Sequence, residues 1–257
     1  MHLHLAGKTA LVTGASKGIG AAIAEALAAE GCGVVLVARS ADTLRIVAEK
    51  IRSSANVPVE SHAADLSQRG VPAAVAEKFP DIDILVNNAG AIPGGDFLSV
   101  AEETLRAAWD LKLFGFIDLT RAAYARMKAR RSGVILNIIG SAGERPSADY
   151  IAGSTANAAL MAFTRSLGQE SLDHGVRVLA INPGPVATER HVTLQRKRAE
   201  TELGDPERWR EFARRMPAGR PAEPQEIADS AAFLVSPRSA YTSGVVLTID
   251  GGGLFRR

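Results

Sequence analysis

The sequence predicts a three-layer α/β/α fold, built on a doubly wound parallel sheet of seven strands with a small helical lobe near residues 189–219. Short apolar runs alternate with helical patterns along most of the 257 residues, an order typical of parallel strands between two layers of helices. The run at residues 34–38 is apolar at every position, as a strand covered on both faces is. A glycine-rich turn between the first strand and the first helix is the third indication.

The first two elements show the pattern that the rest of the chain repeats. Residues 9–13 form a short apolar run and are predicted to be a strand. Residues 18–30 are predicted to be a helix, because Ile19, Ile23 and Leu27 recur every four positions and therefore share one face.

The later elements repeat this alternation of strand and helix. Asp42 is expected to cap a second helix, which carries an apolar face. Residues 189–219 are rich in arginine and glutamate and lack a strand pattern, which predicts a helical lobe over the site. Because no linker rich in glycine, serine or proline divides the chain, residues 1–257 are predicted to form a single domain. Further strands are predicted at residues 57–61, 82–86, 134–139, 176–181 and 245–249, and helices at 70–79, 102–130, 149–172 and 224–235.

Composition and charge exclude several classes of protein. Hydrophobic residues make up 46% and charged residues 23%, the balance of a soluble globular protein, and a net charge of +2 gives no indication of nucleic-acid binding. No apolar run approaches the ~18 residues of a membrane span, and residues 1–7 lack a secretion signal, so no membrane partner is expected. Cys32 is the only cysteine, which excludes a disulfide within the chain. We expect a cytoplasmic protein without a metal site, in which Cys32 is a small buried hydrophobe.

A glycine-rich loop, T-G-A-S-K-G-I-G at residues 13–20, joins the first strand to the first helix. Gly14, Gly18 and Gly20 let the backbone turn sharply and approach a pyrophosphate, and the helix N-terminus supplies free N–H groups. The spacing is G-x-x-x-G-x-G rather than the standard G-x-G-x-x-G, so a tight turn without a ligand is the alternative. The position directly after the first strand favours dinucleotide binding.

Four further motifs follow the glycine loop in a fixed order: A-A-D-L with Asp65, N-N-A-G at residues 87–90, I-N-P-G-P-V-A-T at 181–188 and S-G-V-V-L-T-I-D-G-G at 243–252. Together the five motifs resemble those of the short-chain dehydrogenase/reductase family, over nearly the whole chain. The resemblance implies a Rossmann-type fold and a nicotinamide cofactor, with Asp65 at the adenine. Asn87 is expected both to bond neighbouring backbone and to shape the cofactor site. The implied cofactor-binding residues are Gly14, Ser16, Lys17, Gly18, Ile19, Gly20, Arg39, Asp65, Leu66, Asn87, Ala89, Gly90, Pro183, Gly184, Val186 and Thr188.

The end of the second strand, V-A-R-S, lacks an acidic residue. An NAD enzyme needs a carboxylate there to accept hydrogen bonds from the ribose 2′-hydroxyl, and Ala38 occupies that position. Arg39 and Lys17 are cations that could face a 2′-phosphate, which a guanidinium binds bidentately. We therefore expect NADP(H) in preference to NAD(H); a solvated loop position is the alternative for Arg39.

The resemblance also implies a catalytic set of serine, tyrosine, lysine and asparagine. In the family, the tyrosine hydroxyl exchanges a proton with the substrate oxygen, which the serine holds. The lysine lowers the tyrosine pKa and binds the nicotinamide ribose, and the asparagine helps to hold a proton-relaying water. Ser141, after the fifth strand, resembles the family serine; a hydroxyl that caps local backbone is the alternative.

The tyrosine and lysine positions depart from the family's Tyr-x-x-x-Lys. Aligned on the run A-A-L-M-A-F-T-R-S-L, the lysine position holds Asn157 and the tyrosine position holds Gly153; aligned on Tyr150, the lysine position holds Ser154. Helix geometry favours the first alignment, because positions 150, 153 and 157 share one face and Gly153 leaves room for the Tyr150 ring. The same six-residue separation of tyrosine and lysine occurs in the related enoyl reductases. The alternative is that Tyr150 only packs at the start of a helix.

The asparagine position departs as well, since the stretch K-L-F-G places Lys112 there. A reciprocal exchange of Lys112 and Asn157 would keep one cation and one amide in the site, with Lys112 lowering the tyrosine pKa. Independent loss of both family residues is the rival account, and Lys112 could also be a surface lysine at a helix interface. Arg145, in the loop after Ser141, is the main competing cation.

These features predict an NADP(H)-dependent oxidoreductase that interconverts a carbonyl and an alcohol on a small organic or acyl substrate, with an activated C=C bond as a second possibility. The alternative from another class is a non-catalytic redox sensor that binds the cofactor on the same fold. The arginines of the lobe point to an anionic or acyl substrate. The resemblance implies a homo-oligomer, a tetramer or a dimer, formed through the helices near residues 102–130 and 149–172.

Overall fold

The computed structural model describes residues 2–256 and places seven parallel strands in one sheet. The sheet order is β3-β2-β1-β4-β5-β6-β7, so the chain begins at a central strand and winds outward in both directions. The predicted doubly wound parallel sheet is confirmed, with every strand boundary within two residues of its predicted place. The strands are β1 (Thr9–Thr13), β2 (Gly33–Ala38), β3 (Val59–Ala63), β4 (Ile84–Asn87), β5 (Gly133–Ile138), β6 (Val176–Pro183) and β7 (Val246–Ile249).

Helices cover both faces of the sheet and complete the three layers. Helices α1, α2 and α9 share one hydrophobic core with the sheet, whereas α3, α5 and α6 pack on the other face. The helices are α1 (Gly18–Ala29), α2 (Ala41–Ser54), α3 (Val71–Lys78), α4 (Glu102–Trp109), α5 (Gly115–Ala129), α6 (Ile151–Ser171), α7 (Glu189–Leu203), α8 (Arg210–Ala213) and α9 (Pro224–Val235).

Strand β1 shows why the central strands are apolar at successive positions. Ala10 and Val12 lie in the core under α1, while Leu11 between them lies in the opposite core. Side chains alternate between the two faces of a strand, and here both faces are covered by helices. Polar residues are therefore left to the ends of the strands, which is where the site is built.

Two local expectations need correction. Helix α2 is capped by Ser40, whose Oγ accepts a hydrogen bond from the Thr43 N–H at 3.4 Å, and Asp42 lies in the first turn instead. The long helix predicted at residues 102–130 is divided by a π-helical segment, Asp110–Phe114, between α4 and α5. Wide turns of this kind often occur at functional sites, and this one contains Lys112.

The lobe predicted at residues 189–219 is confirmed as helical: it contains α7, α8 and short 3₁₀ turns. Cys32 is fully buried, as expected, and burial raises the pKa of its thiol to about 12. Within residues 2–256, no helix has both the length and the apolar character that a membrane span requires.

Candidate active site

The carboxyl ends of β1 and β4 meet, and the loops that follow them are locked together. Thr13 Oγ1 donates to the Val86 carbonyl at 3.3 Å and accepts the N–H groups of Asn88 and Ala89 at 2.9 and 3.0 Å. The Asn88 side-chain amide donates to the Thr13 carbonyl at 3.1 Å. The glycine loop therefore rests on the N-N-A-G loop. The sequence analysis missed Asn88, although it is the second asparagine of that motif.

The glycines of the loop form a cradle that side chains would fill. Gly14 and Gly18 have φ of +63° and +59°, in the left-handed region that glycine adopts freely. A Cβ on Gly20 would lie 2.4 Å from the Gly14 carbonyl oxygen, so α1 can start this close to β1 only with glycine there. Ser16, Lys17 and Ile19 complete the loop, whose backbone N–H groups and helix N-terminus suit a pyrophosphate.

Asn87 differs from its expected role, because its side chain bonds other side chains rather than backbone. Its amide donates to Thr120 Oγ1 and to Asn137 Oδ1, both at 2.9 Å, and the Asn137 amide donates to Thr164 Oγ1 at 2.9 Å. All four side chains are buried. This chain links β4 and β5 to helices α5 and α6, which carry the residues around the site.

The end of β2 carries the residues predicted to hold the adenosine part of the cofactor. Arg39 is exposed there, and its charge contributes to a lowered pKa of Asp65, for which the hydrogen bond from Ser67 is the main cause. Leu66 is buried beside them. Lys17 lies elsewhere: its Nζ forms an exposed ion pair with Glu189 Oε2 at 2.9 Å. The structure thus places Arg39, but not Lys17, next to Asp65.

Helix α7 begins directly over the two loops. Its N-cap is Thr188, whose Oγ1 accepts from the His191 N–H at 3.2 Å, and the preceding segment contains Pro183, Gly184 and Val186. Arg190 Nη1 donates to the Gly90 carbonyl at 3.2 Å, and Nη2 donates to the Ile92 carbonyl. Together with the Lys17–Glu189 pair, these bonds fasten the start of the lobe across the candidate site.

Tyr150 lies at the N-cap of α6 rather than inside the helix, with φ −142° and ψ 42°. The prediction that Tyr150 shares a helical face with residues 153 and 157 is therefore wrong in its backbone geometry. The expected space is nonetheless used: a Cβ on Gly153 would lie 1.9 Å from Tyr150 Cε1, so the ring covers the glycine. Gly95 pairs with the residues around Tyr150, since its N–H donates to the Asp149 carbonyl at 2.7 Å.

A methyl group at residue 153 is expected to push the Tyr150 ring out of place. In Gly153→Ala, turnover should fall about tenfold to a hundredfold, since a displacement near 1 Å at a reacting group can have that effect. The free energy of unfolding should change little, because the gain of up to about 1 kcal/mol from alanine within a helix is offset by the cost of displacing the ring. Steady-state kinetics and urea unfolding measure the two effects. Gly94→Ala is the control, because the nearest atom to its Cβ would be the Asp149 carbonyl oxygen at 3.9 Å. Full turnover in Gly153→Ala would contradict this account of the tyrosine.

Lys112 is a buried lysine, not a surface one. Only 7% of the residue is exposed, and Nζ donates to the Ile138 carbonyl at 2.7 Å. A Cβ on Gly90 would lie 2.9 Å from Lys112 Cδ, so the stem of the lysine packs directly on that glycine. Nζ also lies 4.6 Å from the centre of the Phe116 ring. Burial first, and the charge of Arg190 second, lower the pKa of Lys112 from 10.5 to about 7.

Asn157 lies close to the same stretch of backbone as Lys112. Its Nδ2 is 2.8 Å from the place of a Cβ on Gly140, which directly precedes Ser141. Its Oδ1 is buried and has no hydrogen-bond partner within residues 2–256. Lys112 and Asn157 therefore both reach the segment between the end of β5 and Ser141, from two different helices.

The turn that carries Ser141 is fixed from β6. Asn182 Oδ1 accepts from the Gly140 N–H at 3.3 Å, and its Nδ2 donates to Glu144 Oε1 at 2.7 Å. Thr248 on β7 also donates to Glu144. Ser141 opens a 3₁₀ turn and is partly exposed, so its hydroxyl is accessible from the site.

Arg190 is the cation that the sequence analysis missed. Burial raises the pKa of Tyr150, whereas the nearby positive charge of Arg190, and not that of Lys112 as expected, lowers it. Arg145, the expected competitor, is turned away and donates to the carbonyls of Leu254 and Arg256 at 3.2 and 3.5 Å. The available signal for Arg190 was its place two residues after the I-N-P-G-P-V-A-T motif.

Comparison with known proteins agrees with this architecture. The family model described as enoyl-(acyl carrier protein) reductase matches residues 14–253. The 3-oxoacyl-[acyl-carrier-protein] reductase of Vibrio cholerae serotype O1 is 34% identical over 97% of this chain and 98% of that protein. The chain belongs to the short-chain dehydrogenase/reductase family. As a member, it is an NAD(P)-dependent oxidoreductase.

Other members of the short-chain dehydrogenase/reductase family that resemble the chain act on sugars and polyols. Galactitol 2-dehydrogenase (L-tagatose-forming) of Cereibacter sphaeroides is 34% identical, covering 96% of this chain and 95% of that protein. The structure of L-sorbose reductase from Gluconobacter frateurii, complexed with NADPH and L-sorbose, matches with a TM-score of 0.90 and 32% identity over the full length of both chains.

Proposed function

We propose that the protein is an NADP(H)-dependent oxidoreductase that interconverts a carbonyl and an alcohol on a small organic or acyl substrate. The observation that carries the proposal is Tyr150, whose ring is seated on Gly153 and whose hydroxyl lies beside the guanidinium of Arg190. A phenol placed next to a cation can donate a proton and take it back.

The cofactor fits the residues that are present. Gly14, Gly18 and Gly20 leave the space and the backbone N–H groups that a pyrophosphate needs, and Arg39 stands where a 2′-phosphate would be bound. Similar structures contain NADPH or NADP, among them the L-sorbose reductase and a putative gluconate 5-dehydrogenase from Beutenbergia cavernae. When bound, the cofactor supplies or accepts the hydride.

The protein's part in the reaction is to hold the carbonyl oxygen and to move one proton. Tyr150 gives its proton to that oxygen during reduction and takes it back during oxidation, while Ser141 holds the oxygen by a hydrogen bond. Burial favours the neutral phenol, which is the form that can donate, and Arg190 keeps the phenolate accessible. Lys112 supplies a cation at the position where the family has its asparagine, and Asn157 supplies an amide at the position where the family has its lysine.

A carbonyl panel tests this function directly. NADPH oxidation would be followed at 2-oxo acids, 3-oxo esters, ketoses and aldehydes, with the reverse reaction tested on the matching alcohols. Turnover on at least one class is expected. Tight NADPH binding without turnover on any class would favour the non-catalytic redox sensor, although the relatives above are named reductases and dehydrogenases.

NADPH is expected to bind about tenfold to a hundredfold more tightly than NADH. A charge-assisted bond to the 2′-phosphate is worth roughly 1.5–3 kcal/mol, and Arg39 can form it where no carboxylate follows β2. Fluorescence titration at one salt concentration measures both affinities. Arg39→Gln should remove most of the difference, and Arg45→Gln, an exposed arginine paired with Glu49 on α2, is the matched control. Equal affinities in the wild type would remove the role of Arg39.

We also propose that residues 1–257 act as one domain in a cytoplasmic homo-oligomer, a tetramer or a dimer formed through α4, α5 and α6. The exposed Phe114, at the junction of α4 and α5, supports this face. Sedimentation equilibrium of the wild type and of Phe114→Glu measures the oligomeric state of each.

A further inference from the structure

The guanidinium of Arg190 is held in a fixed orientation, and some of its N–H donors remain free to bind a ligand. Two of its N–H groups donate to the carbonyls of Gly90 and Ile92, and Ile92 packs in the same apolar cluster as Tyr150, so the guanidinium lies beside the phenol. A guanidinium carries five N–H donors in one plane, so these contacts fix the plane without using every donor. These hydrogen-bond partners are backbone carbonyls, which leave the positive charge of the arginine uncompensated.

The positive charge around Tyr150 has no acidic partner in the part of the chain that the structure describes. Nine ion pairs occur there, and neither Arg190 nor Lys112 takes part in one. The adjacent Glu189 is already paired with Lys17. Arg190 also lowers the pKa of Lys112, so the charges of the two side chains act on each other. The permanent charge of Arg190 has no counter-ion, and Lys112 is still partly charged at neutral pH, so the site favours an anionic ligand.

We propose that the substrate is an oxo acid, whose carbonyl oxygen binds Tyr150 and whose carboxylate binds Arg190. This inference rests on the proposed function and names its substrate class. Arg190 lies beside the hydroxyl that serves the carbonyl oxygen, so a carboxylate bound to Arg190 is expected within one or two carbons of the carbonyl. That distance selects 2-oxo and 3-oxo acids, and the carboxylate accepts the free guanidinium donors.

The reaction balances as a two-electron reduction. The carbonyl carbon gains a hydride from NADPH, the carbon–oxygen π bond breaks, and the oxygen gains the Tyr150 proton. The oxo acid becomes a hydroxy acid, NADPH becomes NADP⁺, and the phenolate is reprotonated from solvent. The carboxylate stays on Arg190 throughout and takes no part in bond making.

Matched pairs of acid and ester separate this role of Arg190 from any effect on Tyr150. The value of kcat/KM would be measured for pyruvate, acetoacetate and their methyl esters, in the wild type, Arg190→Gln and Arg190→Lys. In Arg190→Gln, the ratio of kcat/KM for acid to that for ester should fall about tenfold to a hundredfold, the range of a charge-assisted pair. Arg190→Lys should retain part of the ratio, and Arg145→Gln should leave it unchanged. An equal loss on acid and ester in Arg190→Gln would overturn the proposal, since Arg190 would then act through Tyr150 alone.

A binding measurement decides the anion site independently of turnover. Oxamate and malonamate, the amide isosteres of a 2-oxo and a 3-oxo acid, would be titrated calorimetrically into the protein with and without NADP⁺. At least one should bind the wild type, with affinity at least tenfold lower in Arg190→Gln and unchanged in Arg145→Gln. Arg190-dependent binding without turnover of any carbonyl would refute the oxidoreductase and leave the anion site standing. Turnover of esters with no Arg190-dependent binding would refute the anion site and leave the oxidoreductase.

Discussion

Tyr150→Phe is expected to lower turnover by about 10²–10⁴-fold, the usual contribution of a positioned acid, and to leave NADPH affinity unchanged. The substitution removes only the hydroxyl, so the ring still covers Gly153 and α6 still begins at residue 151. Steady-state kinetics on a substrate from the carbonyl panel, together with cofactor titration, would separate catalysis from binding.

Tyr124→Phe is the matched control for this result. Tyr124 lies on α5 and packs partly buried against the core that α5 shares with α3, so its hydroxyl should be dispensable. Near wild-type turnover in Tyr150→Phe would mean that Tyr150 is a packing residue at the start of the helix. The proton would then have to come from another group.

Lys112→Met is expected to lower turnover between about tenfold and a thousandfold. Arg190, and not Lys112, is the cation that lowers the Tyr150 pKa, so Lys112 would act on the bound substrate and cofactor; one unit charge ~4 Å from such a group, at an effective dielectric near 20, gives about 4 kcal/mol of gross attraction, which sets the upper figure. Because the pKa of Lys112 is lowered to about 7, this charge fades as pH rises through neutrality. The pH–rate profile of the wild type should show an inflection near pH 7 that is missing in Lys112→Met. Unchanged turnover and an unchanged profile would show that the buried lysine has no part in the chemistry.

The lowered pKa of Lys112 also makes the free energy of unfolding depend on pH. Its folded pKa of about 7 lies below the value of 10.5 expected in the unfolded chain, so between these values the unfolded chain binds one proton more. The free energy of unfolding should therefore gain up to about 1.4 kcal/mol per pH unit from this group as pH rises above 7. Urea unfolding of the wild type and of Lys112→Met should show a stability difference that moves in favour of the wild type over that range.

The proposed exchange of Lys112 and Asn157 is tested by restoring the residues that the family has at both positions. Lys112→Asn combined with Asn157→Lys should recover much of the activity that either single change removes. Both positions reach the segment between β5 and Ser141, so their effects should be coupled, as those of neighbouring residues are. Simple additivity in the double-mutant cycle would instead support independent loss of the two family residues.

The fold was predictable because its signals are local and repeated. Strands covered on both faces are apolar at successive positions, and Ile19, Ile23 and Leu27 show the helical period between them. Loop motifs at the strand ends then indicated the candidate site. Such patterns do not show how the backbone bends at a single residue. Tyr150 is predicted to lie within the helix but lies at its N-cap, and a π-helical turn divides the helix around Lys112.

Contacts across the site were the harder part to predict. Arg190 reaches carbonyls about a hundred residues earlier in the chain, and no local pattern encodes that approach. Lys112 is predicted to be a cation, but only its burial shows that this charge titrates near neutrality. Arg145 is closer to Tyr150 in the sequence than Arg190 is, but its side chain bonds the C-terminal segment instead.

The overlap between residue 153 and the Tyr150 ring also constrains how this sequence can change over evolutionary time. A tyrosine introduced at position 153 would meet the ring already at 150, and removal of the ring at 150 first would leave the site without a hydroxyl. Each single step toward the common motif therefore passes through a crowded or an inactive protein. Tyrosine at 150 and glycine at 153 are expected to be inherited as a pair, so that descendants of this chain keep both or replace both.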